Sequence, residues 1–146
     1  MAINRVLCVC LGNSDRSPVM AAVLQMYLKN AGHKVSCCSA GVSETGTKKG
    51  GASLYAITAM KRLGIDLTEH RRQHVTQLDL NDYDLFVVVN DQVAGQLLEY
   101  GVDMGKMFNA QITNPWPCQF QEDYDGTARQ IMAMMYMVVS RYFPVV

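Results

Sequence analysis

The sequence has no excess of charge of either sign, because 13 Lys and Arg side chains balance 13 Asp and Glu side chains. Nucleic acid and anionic membrane surfaces attract proteins through such an excess. No apolar run approaches the roughly 20 residues of a membrane-spanning helix. The N-terminus, Met1-Ala2-Ile3, leads directly into an apolar run and lacks the pattern of a signal peptide. We therefore expect a cytoplasmic protein that binds neither nucleic acid nor a membrane.

A disulfide framework is also missing from the sequence. The five cysteines are an odd number, and the thiols of a cytoplasmic protein stay reduced. A metal site is conceivable from the first four cysteines, but neither Cys-x-Cys nor Cys-Cys has the usual spacing of zinc ligands. Those four cysteines are Cys8, Cys10, Cys37 and Cys38. We predict that the protein holds no metal.

Apolar runs typical of strands alternate with segments of helical periodicity along the whole chain. This alternation is typical of a parallel sheet with helices on both faces. We predict strands at 4–9, 35–39, 84–89 and 106–108, and helices at 17–30, 52–63, 91–99 and 124–142. The sequence therefore predicts one α/β domain over residues 1–146, with four parallel strands.

One stretch combines the residue types of an anion site. It runs from Val9 to Pro18 and reads Val-Cys-Leu-Gly-Asn-Ser-Asp-Arg-Ser-Pro. Cys10 ends the first predicted strand, and Arg16 follows after five residues, beside a helix start that we expect to be capped by Ser17. Loop N–H groups and a helix N-terminus attract anions and favour a thiolate, while an arginine fork matches phosphate oxygens. The alternative is a buried cysteine followed by an ordinary turn.

The segment Cys-Leu-Gly-Asn-x-x-Arg-Ser-Pro resembles the low-molecular-weight protein tyrosine phosphatase family. Weaker similarities to that family continue at Ser39-Ala40-Gly41, Gly64-Ile65-Asp66, His70-Arg71-Arg72 and Asn114-Pro115-Trp116. The resemblance implies a flavodoxin-like topology and a hydrolase that needs no cofactor. It also implies that the substrate is a phosphorylated protein or a small aryl phosphate, and that the reaction forms a phosphocysteine.

The resemblance also implies a role for each residue that matches the motifs. Cys10 would be the nucleophile, Arg16 would clamp the phosphate, and Trp116 would line the pocket for an aromatic leaving group. The phosphate would be cradled by the backbone of Leu11, Gly12, Asn13, Ser14, Asp15 and Arg16. The shape of the loop would be held by hydrogen bonds from Asn13, Ser17, Ser39 and His70.

Position 114 departs from the family pattern. Asn114 occupies the general-acid position, where the family has an aspartate, and an amide has no proton to give at neutral pH. General acid–base catalysis typically contributes about 10²–10⁴ in rate, so we expect slow turnover of poor leaving groups. Other carboxylates are conceivable substitutes, although we expect them to be solvated residues or helix caps. These carboxylates are Asp91, Glu122, Asp123 and Asp125.

Position 15 departs from the family pattern as well. Asp15 stands where the family usually has a second cysteine, and a carboxylate in an anion cradle should repel phosphate. Three interpretations of Asp15 remain open. Its side chain points to solvent or caps the helix start near Ser17, it pairs with Arg16 or another arginine, or it is a displaced proton donor that compensates for Asn114.

Three functions are compatible with these residues. The first is a phosphotyrosine-type phosphatase, slow because of Asn114, and the second is a pseudophosphatase that binds phosphorylated partners with little turnover. The third is a thiol-linked arsenate reductase, which shares this fold and loop. That reaction needs two further cysteines near the site, and no cysteine lies between Cys38 and Cys118. We therefore rank it last.

Overall fold

A continuous apolar run gives β1 (Arg5–Cys10) the centre of a parallel sheet. The computed structural model describes residues 2–145, and its sheet has the strand order β2-β1-β3-β4. The flanking strands are β2 (Ser36–Gly41), β3 (Leu85–Val88) and β4 (Met107–Asn109). Residues 6–10 are buried on both faces of the sheet, as a central parallel strand requires. The four predicted strands are confirmed, with their ends shifted by one or two residues.

Four helices flank the sheet: α1 (Arg16–Asn30), α2 (Leu54–Lys61), α3 (Asp91–Glu99) and α4 (Gln121–Tyr142). Helix α1 packs against α4, and α3 packs against β3 and β4. From the centre of the sheet, the connection through α1 runs to β2 and the connection through α3 runs to β4, in opposite directions. Right-handed crossovers in opposite directions place their helices on opposite faces. The predicted α/β class with covered faces is therefore confirmed.

Three helix starts differ from the sequence prediction: α1 begins one residue earlier, α2 two residues later and α4 three residues earlier than predicted, while α3 begins at the predicted residue. Helix α1 begins at Arg16, and Asp15 occupies its N-cap position without a capping hydrogen bond from the side chain. Ser17 is therefore not the cap, because its hydroxyl is already bonded within the preceding loop. Helix α3 is capped by Asn90, whose side chain accepts the N–H of Val93 at 2.9 Å.

The carboxyl ends of the four parallel strands lie at the same edge of the sheet. At this edge, β1 has β2 on one side and β3 on the other. Cys10 and Gly41 are paired at this edge, at the ends of β1 and β2. Ligands of open α/β sheets bind at such an edge, where the strand order reverses. None of the helices within residues 2–145 is long and apolar enough to cross a membrane.

Candidate active site

The thiol of Cys10 lies beneath a tight loop that follows β1, here named the Cys10 loop (residues 10–16). The residue is only 3% exposed. Its Sγ accepts the backbone N–H of Asn13 at 3.2 Å, and the hydroxyl Oγ of Ser17 lies 3.0 Å away. A thiolate at this position has two hydrogen-bond donors within reach, in addition to the N-terminus of α1.

Asn13 fixes the shape of the Cys10 loop through hydrogen bonds of its side chain and its carbonyl. Its φ of 57° lies in the left-handed region, which asparagine tolerates better than most residues. Its side-chain Nδ2 donates to the hydroxyls of Ser17 and Ser39, both at 2.9 Å. Its Oδ1 accepts the backbone N–H of Gln73 at 2.9 Å, and its carbonyl accepts from His70 Nε2 at 2.8 Å. The four predicted support residues, Asn13, Ser17, Ser39 and His70, therefore lie together.

The sequence did not reveal the role of Gln73 at the site. Gln73 donates its backbone N–H to Asn13, and a backbone group leaves no signal in the residue type. Its side-chain Nε2 also donates to the carbonyl of Ser39 at 2.9 Å. The segment that follows His70 therefore completes the hydrogen-bond network around Asn13 and Ser39. Only the packing of this segment against the ends of β1 and β2 shows the connection.

His70 is a hydrogen-bond donor to the Cys10 loop. Because a carbonyl only accepts, the proton of the neutral ring must lie on Nε2, which faces the Asn13 carbonyl. Burial lowers the pKa of His70 from its ordinary value, and the charges of Arg72 and Arg71 lower it further. The hydrogen bond to Asn13 opposes this shift only in part. The imidazole is therefore held as a neutral donor.

Arg16 lies at the first turn of α1 and is 4% exposed. Its Nη1 donates to the carbonyl of Ile112 at 3.1 Å, which ties the Cys10 loop to the chain that follows β4. Burial lowers the pKa of the guanidinium, while the neighbouring Cys10 and Asp15 oppose that change. The remaining donors of the fork are available for an anion in the loop.

Asp15 is buried, with 6% of its surface exposed. Its Oδ2 accepts the indole N–H of Trp116, and no hydrogen-bond partner reaches its Oδ1. The interpretation that Asp15 points to solvent or caps the helix is therefore wrong. Pairing with Arg16 or another arginine is wrong too, since no ion pair within residues 2–145 includes Asp15. The partner of Asp15 is instead Trp116, which comes from a distant part of the chain.

A cavity of about 160 Å³ opens above the Cys10 loop. Its size suits a phosphate group better than a drug-sized ligand, which needs about 300 Å³ or more. Asn114 belongs to its lining and is exposed, and its Oδ1 accepts the N–H of Trp116 at 3.1 Å. The cavity therefore joins the predicted nucleophile, arginine, acid position and tryptophan. Its lining consists of Cys10, Leu11, Gly12, Ser14, Asp15, Arg16, Asn114 and Trp116.

The other conceivable proton donors do not line this cavity. Asp123 accepts the backbone N–H groups of Gln119 and Phe120 at the start of α4. Asp125 pairs with Arg62 at 2.7 Å. Asp91 accepts the amide of Asn109 at 2.8 Å, and Glu122 is exposed. Asp91 and Glu122 are exposed and Asp123 caps α4, as expected, whereas Asp125 is half-buried in its ion pair and is neither a solvated residue nor a cap.

An aromatic wall beside the cavity was missed in the sequence. The rings of Tyr55 and Trp116 meet edge to face, with centroids 5.9 Å apart, and Tyr55 stacks on Tyr124 at 6.4 Å. Tyr55 lies in the first turn of α2, whose preceding residue Ser53 donates its N–H to Ser14 at 3.0 Å. The periodicity of α2 predicts a helix, but only its packing against α4 brings Tyr55 to the site.

Three of the other cysteines, Cys8, Cys37 and Cys38, are poor candidates for a thiol relay. Cys8 is fully buried, and burial raises its pKa well above the ordinary value. Cys37 and Cys38 are partly exposed on β2. Burial nevertheless raises the pKa of Cys37 to about 12. Within residues 2–145, no cluster of His, Cys, Asp or Glu side chains is suited to a metal ion.

The fold and the site define a class: an α/β protein with a buried cysteine beneath a tight loop that leads into a helix N-terminus. The sequence profile of the low molecular weight phosphotyrosine protein phosphatase family matches residues 5–116. This match covers most of the chain, and the motifs that carried the resemblance lie within it. The chain belongs to this family.

Individual relatives agree with that assignment. A probable low molecular weight protein-tyrosine-phosphatase, EpsP of Ralstonia solanacearum, is 37% identical over 87 residues. That alignment covers 60% of this chain and only 56% of the relative, so the chain matches little more than half of its length.

Solved structures resemble the fold over nearly the whole chain. A low molecular weight protein tyrosine phosphatase from T. tengcongensis has a TM-score of 0.85 at 26% identity, covering 94% of this chain and 99% of that chain. Wzb of Vibrio vulnificus, solved in complex with benzylphosphonate, has a TM-score of 0.85 at 24% identity, covering 96% and 99% of the two chains. The second likeness supports the fold alone.

Proposed function

We propose that the chain is a cysteine-dependent phosphomonoester hydrolase of the phosphotyrosine type. The observation that carries this proposal is the position of Cys10 Sγ, between the N–H of Asn13 and the hydroxyl of Ser17. Arg16 lines the same small cavity. A nucleophile, its hydrogen-bond donors and a phosphate clamp thus occupy one site, as nucleophilic catalysis requires.

The reaction proceeds in two steps. In the first, the Cys10 thiolate attacks phosphorus, the P–S bond forms, and the bond to the leaving oxygen breaks. In the second, water attacks the phosphocysteine, the P–S bond breaks, and its electron pair returns to sulfur as inorganic phosphate leaves. Arg16 and the backbone N–H groups of residues 11–16 stabilise the charge on the equatorial oxygens in both steps.

The support residues preorganise the nucleophile. Ser17 has one hydroxyl proton, and its oxygen already accepts from Asn13 Nδ2. That proton is therefore free to stabilise either the Cys10 thiolate or the carbonyl of Ala40, which lies 3.3 Å away. Ser39 and His70 hold Asn13, so the donors to sulfur are in position before the substrate arrives.

The aromatic wall supports a phosphorylated aryl group as substrate. Trp116 is 49% exposed and borders the cavity, and Tyr55 lies against it. A phenyl ring packs favourably on such a surface. The substrate is then a tyrosine-phosphorylated protein or a small aryl phosphate. The five free thiols support a reducing, cytoplasmic location.

Asn114 is the basis for expecting slow turnover. An amide at the acid position leaves the phenolate without a proton from that side chain. The rates with poor leaving groups then depend on whether another carboxyl supplies the proton.

A phospho-ligand binding module is the second candidate, and the observation that favours it is the same Asn114. Such a protein keeps the anion cradle and its arginine but lacks the proton donor that turnover needs. It predicts tight binding of vanadate or of a phosphopeptide, together with negligible turnover.

The two candidates are separated by hydrolysis of p-nitrophenyl phosphate, whose leaving group needs little protonation. The phosphatase proposal predicts turnover and a phosphorylated Cys10 after rapid acid quench, detected by mass spectrometry. Cys10→Ser abolishes both, while the control Cys37→Ser, on β2 outside the cavity, leaves both unchanged. Oxyanion binding without any phosphoenzyme would instead support the binding module.

A further inference from the structure

Asp15 combines burial with an incomplete set of hydrogen bonds. Trp116 satisfies its Oδ2, while its Oδ1 is buried and unpartnered. The backbone around Asp15 is fixed from below, since the hydroxyl of the fully buried Tyr124 donates to the Asp15 carbonyl at 2.7 Å. The carboxyl group is thus held in place with one oxygen left without a partner.

An unpartnered buried carboxyl oxygen is costly to the folded protein. Leaving a polar group buried without a hydrogen bond destabilises the folded protein, and the effect is larger when the group is charged. A proton on this oxygen, shared with a group of the substrate, removes that cost. Because Oδ1 is closed to solvent in the free chain, substrate binding must open the contact to it. Asp15 lines the same cavity as Cys10 and Arg16, so the group that arrives there is the reacting phosphate ester.

No other carboxyl group competes for this task at the cavity. Asn114 has no acidic proton, and Asp91, Glu122, Asp123 and Asp125 are absent from the lining. Among the residues that line the cavity, Asp15 is the only carboxylic acid. A reaction that must protonate a phenolate therefore has one candidate donor in place.

We propose that Asp15 is the general acid and general base of this site, and that Trp116 is its positioning residue. The proposal rests on the proposed phosphatase function and deepens it. Trp116 binds one carboxyl oxygen, which leaves the other oxygen to exchange a proton with the substrate. The acid of this chain then lies in the loop that binds the phosphate, and not at position 114.

The proton balance of the two steps is complete. As the Cys10–phosphorus bond forms and the ester bond breaks, the proton of Asp15 moves to the leaving oxygen, which departs as a neutral phenol. Asp15 is then a carboxylate. It takes a proton from the attacking water as the phosphorus–sulfur bond breaks, and Cys10 returns to the thiolate.

Asp15→Asn tests the proposal because it keeps an oxygen that can accept from Trp116 but removes the acidic proton. We expect hydrolysis of phenyl phosphate to fall by about 10²–10⁴, the usual contribution of general acid–base catalysis. Hydrolysis of p-nitrophenyl phosphate should fall far less in single-turnover measurements of the first step, because its leaving group is a weak base. The control Glu99→Gln, an exposed carboxylate at the end of α3, should leave the ratio of the two rates unchanged.

Rescue by position 114 guards against a trivial loss of folding. In the double variant Asp15→Asn/Asn114→Asp, the acid returns to the place where the family carries it. We expect the rate with phenyl phosphate to recover by at least about tenfold over Asp15→Asn alone. Recovery would show that the loop had stayed intact and had lacked only a proton donor.

Trp116→Phe tests the positioning role, since it keeps an aromatic ring and removes the indole N–H. We expect kcat with phenyl phosphate to fall while KM changes little, and the alkaline limb of the pH–rate profile to shift, because a general acid acts in its protonated form. A wall that only binds the aryl group would instead raise KM and leave the pH profile unchanged, which would overturn the positioning role.

Two outcomes separate this proposal from the function on which it rests. If Asp15→Asn leaves the ratio of rates for phenyl and p-nitrophenyl phosphate unchanged while Cys10 still becomes phosphorylated, Asp15 is not the acid and the phosphatase function stands. If the unmodified chain forms no phosphoenzyme with either ester, the phosphatase function fails and this proposal fails with it.

Discussion

The Cys10 loop and the segment 113–120, which carries Asn114 and Trp116, form two sides of one cavity but are built differently. In the loop, Cys10, Asn13, Asp15 and Arg16 are all buried. In the segment, most residues are exposed, including Asn114 and Trp116 themselves. The loop is held by side chains from several distant segments, whereas the other side borders solvent.

This difference separates the two tasks of the site. Binding and attack depend on donors that are fixed before the substrate arrives, and buried hydrogen bonds provide this preorganisation. The exposed segment contacts the loop through the hydrogen bond that Trp116 donates to Asp15, while Arg16 donates to the buried Ile112 just before that segment. Substitutions of Cys10, Asn13 or Arg16 should therefore damage the reaction as a whole, while substitutions of Asp15 or of residues 113–120 should change its dependence on leaving group and pH.

The largest effect in this comparison is expected from Arg16→Lys. Lysine keeps the positive charge but loses the planar fork, whose Nη1 donates to the Ile112 carbonyl and whose remaining donors match phosphate oxygens. We expect kcat with p-nitrophenyl phosphate to fall by about 10²–10³, the usual cost of losing a preorganised donor to transition-state charge. Steady-state kinetics measure it, with the exposed Arg129→Lys on α4 as control. Equal rates for both variants would contradict the role of the fork.

Gly41→Ala is expected to displace the Cys10 loop by a steric clash from the end of β2. A Cβ at this position would lie 2.3 Å from the Leu11 carbonyl and 2.6 Å from Thr47 Cγ2, so the Cys10 loop must shift. We expect the free energy of unfolding to fall by about 1–3 kcal/mol, as for other overpacked sites. Urea unfolding measures this change.

The matched control for that substitution is Gly95→Ala in α3. A Cβ at Gly95 meets nothing within 4 Å, so alanine should stabilise the helix by up to about 1 kcal/mol. Opposite signs for the two variants are expected. A neutral Gly41→Ala would show that the loop tolerates displacement, contrary to its dense hydrogen bonding.

A smaller effect is expected from Asn114→Asp in the otherwise unchanged chain. If Asp15 already donates the proton, a second carboxyl group across the cavity adds less than about tenfold to the rate with phenyl phosphate, because general acid catalysis is already in place. Single-turnover kinetics measure the gain. An increase of several orders of magnitude would show that position 114 is the acid position and that nothing replaces it.

The smallest effect concerns His70 and the stability of the loop. Its pKa in the folded protein is lowered by burial, so below its ordinary value of 6.5 the unfolded chain binds the proton more readily. This contribution to stability is fully present above about pH 6.5 and is lost as the pH falls through the folded-state pKa. Urea unfolding at a series of pH values measures it.

His70→Gln provides the comparison for that measurement. Glutamine offers an Nε donor to the Asn13 carbonyl but does not titrate. The stability of this variant should therefore change less between about pH 7 and pH 5 than that of the unchanged chain. Identical pH dependence in the two chains would contradict a titrating role for His70.

Much of the architecture was predicted from the sequence because the apolar runs and helix periodicities agree with the final packing. The four strands and four helices have the predicted order, and the Cys10 loop lies where the motif indicates. The helix caps were predicted less well. Ser17 has the residue type of a cap, but local propensity does not reveal that Cys10 and Asn13 use its hydroxyl.

By itself, the sequence determined the fold class, the family and the position of the anion loop, since these follow from local pattern and from one short motif. Only the tertiary structure decided how the second side of the cavity is made. Asp15 and Trp116 are separated by about a hundred residues, and Tyr55 reaches them through the packing of α2 on α4. A hydrogen bond over such a separation leaves no periodicity in the chain, because it depends on the packing of the whole fold.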